Sequence, residues 1–311
     1  MGGQGSRLAI LRASAATPAL PRTEGFPRLR PPMTIAIAIR TGSAVVFAAD
    51  SKITTAGVVG VEEDGSPRWQ EQTYDNATKV VRDRSGSMMA MVAGHANIGQ
   101  MAAPDFLSTK DFRLLPEPQE GAEEKLGRLV AEMVEQKRAY WGGSQVPPEQ
   151  WRGPTVLFAI GGRIANPPRI WRVDFDGPAA ETSEILTQPG IWLDGSYDEV
   201  FGLLYGFEPS VAQGLREPLD VPADRFHEAT RTLRVLRPID KLNLWAMPIQ
   251  DAIDLAVFLA TVQVQMDRFL PGTPACGGPI DVMVLQTAPE ASFVAYPGKV
   301  VHHPHRPGYN D

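Results

Sequence analysis

Thr34 is the residue whose type and position first suggest chemistry, because it directly follows Met33 at the start of an apolar run. A threonine hydroxyl is a weak nucleophile unless a base removes its proton. If translation starts at Met33 and this methionine is removed, the free α-amine of Thr34, with an unperturbed pKa of about 8, can act as that base through a water molecule. Thr34 is therefore a candidate N-terminal nucleophile. The alternative is an ordinary β-branched residue that opens a strand.

Asp50 and Lys79 can supply the charges that such a nucleophile needs. Asp50 ends one apolar run, and Lys79 opens a later one. We expect both side chains to converge with Thr34 at one edge of a sheet. There the Lys79 ammonium group would stabilise the alkoxide and favour the neutral form of the amine, while Asp50 keeps Lys79 charged. The alternative is an ion pair at exposed strand ends, which adds little stability. Lys52 is a competing candidate for the lysine.

Gly94 is a candidate donor to an oxyanion. It ends an apolar run and precedes residues 95–101, for which we expect a short helix. The backbone N–H of a glycine can face a developing oxyanion without a Cβ atom that obstructs the substrate. The alternative is a plain turn glycine.

The composition excludes several classes of protein. A chain of 311 residues with 43% hydrophobic and 21% charged residues can bury a substantial core. The net charge of −6 and the lack of a basic block argue against nucleic acid as a partner. No apolar stretch is long enough to span a membrane. A single cysteine, Cys276, excludes a disulfide framework and a multi-cysteine zinc site. We expect a cytoplasmic protein without metal or cofactor.

The pattern of apolar residues predicts an α+β fold. Runs at 34–40 and 44–50 indicate a hairpin covered on both faces, and runs at 79–82 and 88–93 indicate a second hairpin. Later strands are expected at 155–160, 169–175, 184–193, 280–286 and 292–296. Longer helices are expected at 119–141, 197–206 and 247–270. Hairpins separated by pairs of helices indicate two stacked antiparallel sheets between helix layers.

The sequence also predicts how the chain is divided. One large domain spans 34–298, with an insertion at about 207–246 where charged residues and prolines interrupt regular patterns. The polar residues 57–77 favour an extended loop or an exposed hairpin. Residues 299–311 are expected to form a flexible tail. Residues 1–33, with five arginines and one acidic residue, are predicted to be a leader or the result of a start codon assigned too early, disordered or absent from the mature protein.

Five motifs of the chain resemble those of a proteasome β subunit, particularly of the bacterial proteasome-like branches. They are TIAIAI at 34–39, VVFAADSK at 45–52, TKVV at 78–81, MVAG at 91–94 and GGPIDV at 277–282. The resemblance covers most of residues 34–286, weakly in the middle. It implies an N-terminal-nucleophile hydrolase fold, a four-layer αββα sandwich, in which an N-terminal threonine attacks amide bonds. It also implies assembly into rings that hide the active sites in a chamber.

The resemblance bears on individual residues as well. The interval of sixteen residues from Thr34 to Asp50 matches the family, and Lys52 resembles the basic residue that follows the family's aspartate by two. The interval to Lys79 is longer than in the family, and we assign the excess to a polar insertion at 58–77.

Two further positions are suggested by the resemblance. Ser196, in the sequence Asp-Gly-Ser, would be the hydroxyl that hydrogen-bonds the terminal amine, although it could equally cap the helix that follows. Cys276 stands where the family has a second serine, or is simply a small packing residue. The family's aspartate three residues before it is replaced by Thr273, with Asp267 farther upstream.

The residues before Thr34 predict how it becomes the first residue. Self-cleaving precursors of the family place glycine before the threonine, because attack on the preceding carbonyl needs a tightly turned backbone. Here the residues are Pro31, Pro32 and Met33. Pro32 fixes its own φ and biases Pro31 towards extended geometry. We therefore expect initiation at Met33 and methionine removal rather than autolysis.

Together these features predict a threonine-type peptidase or amidase of the proteasome-like kind. It would act on peptides or unfolded proteins within a ring-like or helical homo-oligomer, formed through the helix at 119–141 and the insertion at 207–246; a partner unfoldase is not identified. Two alternatives stay open. One is a catalytically silent ring subunit with a blocked N-terminus, and the other is an amide hydrolase for small molecules.

Overall fold

A computed structural model describes residues 34–61, 67–83, 87–109, 121–144, 146–161, 167–206, 239–286 and 293–296, with the single positions 165, 208, 214, 222, 225 and 228. The strands are β1 (Ile35–Arg40), β2 (Ala44–Asp50), β3 (Ile53–Val61), β4 (Pro67–Tyr74), β5 (Val80–Arg82), β6 (Met88–Gly94), β7 (Asn97–Ile98), β8 (Met101–Ala102), β9 (Pro154–Ile160), β10 (Arg169–Asp174), β11 (Glu181–Ile185), β12 (Gly190–Gly195), β13 (Ile280–Gln286) and β14 (Phe293–Tyr296). The helices are α1 (Ala103–Thr109), α2 (Ala122–Trp141), α3 (Asp198–Tyr205) and α4 (Ile249–Asp267).

Two antiparallel sheets of five strands form the centre of the fold. The first sheet has the order β12-β1-β2-β13-β14, and the second has the order β11-β10-β9-β6-β5. Every residue of β1 and β2 is buried, which explains why both strands are almost wholly apolar. The predicted hairpins are therefore present, the first in one sheet and the second in the other.

Alternating side chains of β1 divide the core into layers. Ile35, Ile37 and Ile39 belong to the apolar cluster that joins the first sheet to α3 and α4. Ala36 and Ala38 point the other way, into a cluster that joins the two sheets. A third cluster joins the second sheet to α1 and α2. The order helix, sheet, sheet, helix is the four-layer αββα sandwich that was expected.

Several predicted elements need correction. The short helix expected at 95–101 is wrong: β7 and β8 pair there, and α1 begins only at Ala103. The single strand expected at 184–193 is two strands, β11 and β12, because the chain turns at Leu186, whose φ is +49°. The Arg40 guanidinium donates to the Leu186 carbonyl at 2.5 Å and so supports this turn. Of the two alternatives given for residues 57–77, the hairpin is present, because β3 and β4 pair with each other.

The ends of the chain and most of the predicted insertion lie outside the described residues. This applies to 1–33, to 299–311 and to all but isolated positions of 209–238. In the described part of the chain, no helix combines the length and the apolar character that crossing a membrane requires.

Candidate active site

Thr34, Asp50 and Lys79 come together where the two sheets face each other. Thr34 immediately precedes β1, and Asp50 ends the neighbouring strand β2 of the first sheet. Lys79 immediately precedes β5 of the second sheet, and its carbonyl accepts a hydrogen bond from Val92 of β6 at 2.9 Å. The hairpin pattern suggested that the three residues share the edge of one sheet, and this prediction is wrong. They meet across the gap between two sheets.

The Lys79 ammonium group bridges the other two side chains. Its Nζ atom lies 2.7 Å from Thr34 Oγ1 and 2.7 Å from Asp50 Oδ1. All three residues are buried, and the Asp50 side chain is inaccessible to solvent. The ion pair is thus not the exposed strand-end pair that was the alternative. Because little water screens these charges, the Lys79 ammonium group acts strongly on the Thr34 hydroxyl that it contacts.

Backbone donors surround the Asp50 carboxylate. Ile35 donates to Oδ1 at 3.2 Å, while Lys52 and Gly277 donate to Oδ2 at 3.3 Å and 2.9 Å. Burial raises the pKa of Asp50 above its ordinary value, and the charge of Lys79 with the N–H groups of Gly277 and Lys52 opposes that rise. These donors fix the carboxylate, and the carboxylate in turn fixes Lys79.

Of the two candidate lysines, Lys79 is the one that reaches the hydroxyl of Thr34. Lys52 is also buried, but its backbone N–H serves Asp50, and its aliphatic stem lies beside Gly277. A Cβ atom on Gly277 would come within 3.0 Å of Lys52 Cδ. Lys52 therefore packs the wall of the site.

The Gly195–Ser196 turn holds the backbone of Thr34. The N–H of Ser196 donates to the Thr34 carbonyl at 2.7 Å. Gly195 has φ +79°, and a Cβ atom there would lie 1.9 Å from the Thr34 carbonyl oxygen, so only glycine fits. Tyr197, directly after Ser196, occupies the N-cap position of α3.

Gly94 lies near Lys79 in the same sheet. It ends β6 two residues after Val92, whose N–H bonds the Lys79 carbonyl. Its φ of +73° lies in the left-handed region that favours glycine, and the residue is only half-buried. The chain thus needs glycine at this position and leaves its backbone partly accessible beside the site.

Asp267, expected only as an aspartate farther upstream, contacts the backbone beside the site. It is the last residue of α4, and its Oδ2 atom accepts the N–H of Cys276 at 2.7 Å. Burial, together with the negative charges of Asp50 and Asp267, raises the pKa of the Cys276 thiol, which therefore stays protonated. Thr273, at the position of the family's aspartate, is exposed.

The peptide group after Cys276 connects Asp267 with the Asp50 carboxylate. Gly277 follows Cys276 and donates to Asp50, so two consecutive N–H groups bind two buried carboxylates. Gln263, one turn before Asp267 on α4, donates to its Oδ1 atom at 3.3 Å. No short sequence motif predicts these contacts, because Asp267 and Cys276 are nine positions apart in the sequence.

No protein-family model matches the chain, and no curated protein matches it. Among solved structures, it is similar to the Anbu (Gly-1) mutant from Hyphomicrobium sp. strain MC1, with 15% identity over 84% of this chain and 86% of that one and a TM-score of 0.47. It is also similar to Anbu (ancestral beta-subunit) from Yersinia bercovieri, with 13% identity over 85% and 88% and a TM-score of 0.45. Identities this low carry no inference about activity.

Proposed function

We propose that the chain is a threonine-type peptidase or amidase whose nucleophile is the Thr34 hydroxyl. The observation that carries the proposal is the buried Lys79 ammonium group, 2.7 Å from both Thr34 Oγ1 and Asp50 Oδ1. A buried charge is costly to the fold unless it is paired, and a buried ion pair beside a potential nucleophile is typical of active sites. The resemblance of the surrounding motifs to proteasome β subunits agrees with this assignment.

The proposed reaction proceeds by acyl transfer. The Thr34 Oγ atom attacks the carbonyl carbon of an amide, while the free α-amine of Thr34 takes the hydroxyl proton through a water molecule. Lys79 stabilises the alkoxide, and the Gly94 N–H stabilises the oxyanion of the tetrahedral intermediate. Breakage of the C–N bond transfers the proton to the leaving amine and leaves an ester on Thr34. Water then hydrolyses this ester and restores the hydroxyl.

The mechanism requires that nothing precede Thr34 in the active protein. While Met33 is attached, the Thr34 nitrogen is an amide and accepts no proton. We propose that initiation at Met33 and methionine removal free this amine, and that the Ser196 hydroxyl orients it. The substrate class is an extended peptide or an unfolded protein, and the site works within a homo-oligomer that restricts access to it.

The test uses a chain that begins at Met33, assayed against a panel of peptide amides. We expect Thr34→Ala to abolish turnover and Thr34→Ser to retain part of it. Thr41→Ala is the matched control, because Thr41 is also buried, just after the other end of β1, and its hydroxyl bonds to Ala44 of the nearby turn. This control should cost about 1 kcal/mol of stability but leave turnover intact. Full turnover in Thr34→Ala would refute the proposal.

A further inference from the structure

An ion pair between Arg172 and Asp194 joins the two sheets beside the proposed site. Arg172 lies on β10 of the second sheet, and Asp194 lies on β12 of the first sheet. The Nε atom of Arg172 donates to Asp194 Oδ2 at 2.8 Å. The Nη2 atom of the same guanidinium donates to Asp174 Oδ2 at 3.1 Å. Arg172 therefore binds one carboxylate of the facing sheet and one of its own strand.

The pair extends the layer of side chains that lies between the sheets. Ile170, two residues before Arg172 on β10, belongs to the apolar cluster of this layer, and residues two apart on a strand share a face. Asp194 pairs across the sheet with Ala36 of β1, which belongs to the same cluster. The Arg172 side chain is 28% exposed and that of Asp194 is 15% exposed. Because removing charges from water offsets much of what an ion pair gains, stability alone is a weak reason for this pair.

Asp194 connects the ion pair to the proposed nucleophile. Its second carboxylate oxygen, Oδ1, accepts the N–H of Gly195 at 2.9 Å. Gly195 and Ser196 form the turn that holds Thr34, since the N–H of Ser196 donates to the Thr34 carbonyl at 2.7 Å. Not even a methyl group fits between Gly195 and that carbonyl. A shift of the turn would therefore displace Thr34 as well.

The strand order places this contact on the opposite side of β1 from Asp50. In the first sheet β1 lies between β12 and β2, and Thr34 directly precedes it. Asp50 ends β2 and is paired with Lys79 of the second sheet. Asp194 lies on β12 and is paired with Arg172 of the same second sheet. An ion pair between the sheets therefore flanks the start of β1 on each side.

We propose that Arg172 and Asp194 are positioning residues that fix Thr34 through the turn formed by Gly195 and Ser196. The inference rests on the proposed function, because it assigns both residues to the reaction of the Thr34 hydroxyl. They act on the geometry of the nucleophile rather than on the substrate. Loss of the pair releases the turn and lets the hydroxyl depart from the geometry of attack, which lowers kcat more than it changes KM.

The test compares two arginines of β10 in a chain that begins at Met33, assayed with peptide amides. We expect Arg172→Met to lower kcat by about tenfold or more and to change KM by less than about twofold. Arg169→Met is the matched control, because the Arg169 side chain is 35% exposed and also binds two carboxylates, those of Glu123 and Glu184. Arg169 begins β10, at the other end of the strand from Asp174. Its loss should leave kcat unchanged.

Two further variants test whether the effect acts through the pair. Arg172→Lys keeps a charge that can reach one of the two carboxylates, so it should recover part of the kcat that Arg172→Met loses. Asp194→Leu should lower kcat to a similar extent as Arg172→Met. Combining Arg172→Met with Asp194→Leu should lose no more kcat than the more severe of the two single variants, because the two residues act as a unit.

Four results would overturn the positioning role. They are equal kcat values for Arg172→Met and Arg169→Met, an Arg172→Lys variant no better than Arg172→Met, losses that multiply in the double variant, and a loss that only follows the folded fraction measured by circular dichroism. Full turnover in Thr34→Ala would overturn the proposed function and this role together. An inactive Thr34→Ala beside a fully active Arg172→Met would overturn the role alone.

Discussion

At the scale of single residues, the site depends on one ammonium group with two partners. Lys79 donates to the proposed nucleophile and to a carboxylate that three backbone N–H groups already hold. Because the Asp50 side chain is fully buried, removing Lys79 takes away a charge partner from a carboxylate that is shielded from solvent. The lysine is therefore needed for geometry and for charge together.

We expect Lys79→Ala to lower kcat/KM for peptide amides by about 10² or more, because the alkoxide loses its nearest positive charge. Lys52→Ala provides the matched comparison, since Lys52 is equally buried but contacts Asp50 only through its backbone. Its kcat/KM should fall much less. Steady-state kinetics on folded protein, verified by circular dichroism, decide between the two lysines, and equal losses would contradict the assignment to Lys79.

The sequence identified these side chains better than their arrangement. Apolar runs place Asp50 and Lys79 at strand ends, and the resemblance to proteasome β subunits connects them with Thr34. Which sheet a strand joins depends on long-range pairing, however, so the separation of Lys79 from Asp50 onto facing sheets was not predicted. Asp267 was undervalued for a similar reason: its contact with Cys276 is made by the fold of the segment between them.

At the scale of elements, a second buried ion pair fastens α2 to the second sheet. Lys125 of α2 lies 2.7 Å from Asp83, and both side chains are almost completely buried. Asp83 follows β5, and its carboxylate also accepts the N–H groups of Ser87 and Met88 at 3.0 Å each. The pair thus ties the turn between β5 and β6 to the helix that covers them.

We expect Lys125→Met to lower the free energy of unfolding by about 3–5 kcal/mol, because it removes the ammonium group that lies 2.7 Å from the buried Asp83 carboxylate. Arg138→Met on the same helix is the control, since the Arg138–Glu135 pair is exposed and should contribute about 1 kcal/mol or less. Urea denaturation of both variants gives the comparison. Similar losses in the two would mean that the buried Lys125–Asp83 pair contributes no more to stability than the exposed pair does.

The long helices were predicted from the sequence pattern, whereas several short strands were not. Helical periodicity located α2 and α4 to within a few residues, because a long amphipathic pattern is a strong signal. The split between β11 and β12 was not predicted, because a leucine rarely adopts the left-handed conformation that Leu186 has at this turn. The same is true at 97–102, where two short strands depend on each other rather than on their own residues.

At the scale of the whole molecule, the proposed activity depends on what precedes β1. Thr34 enters the fold between β12 and β2, and its carbonyl is bound by Ser196. Any residue attached to its nitrogen would occupy the space beside the proposed nucleophile. Removal of the residues before Thr34 is therefore needed to free the α-amine that the proposed mechanism uses.

We expect a chain that begins at Met1 to keep these residues and be inactive, and a chain that begins at Met33 to be active after methionine removal. The reason is that Pro31 and Pro32 oppose the tight turn that self-cleavage before Thr34 requires. Mass spectrometry of both proteins provides the measurement. Spontaneous cleavage of the longer chain between Met33 and Thr34, absent in Thr34→Ala, would contradict this expectation.

Because the proposed site lies between two sheets, the distance between the sheets affects the proposed chemistry. Thr34 and Asp50 move with the first sheet, whereas Lys79 moves with the second. The spacing is set by the apolar cluster between them, in which Ala36 and Ala38 are small and Met89 and Met91 are large and adaptable. Displacements of about 1 Å can slow catalysis a hundredfold. The side chains of this cluster, although they touch no substrate, therefore set the distance on which the proposed reaction depends.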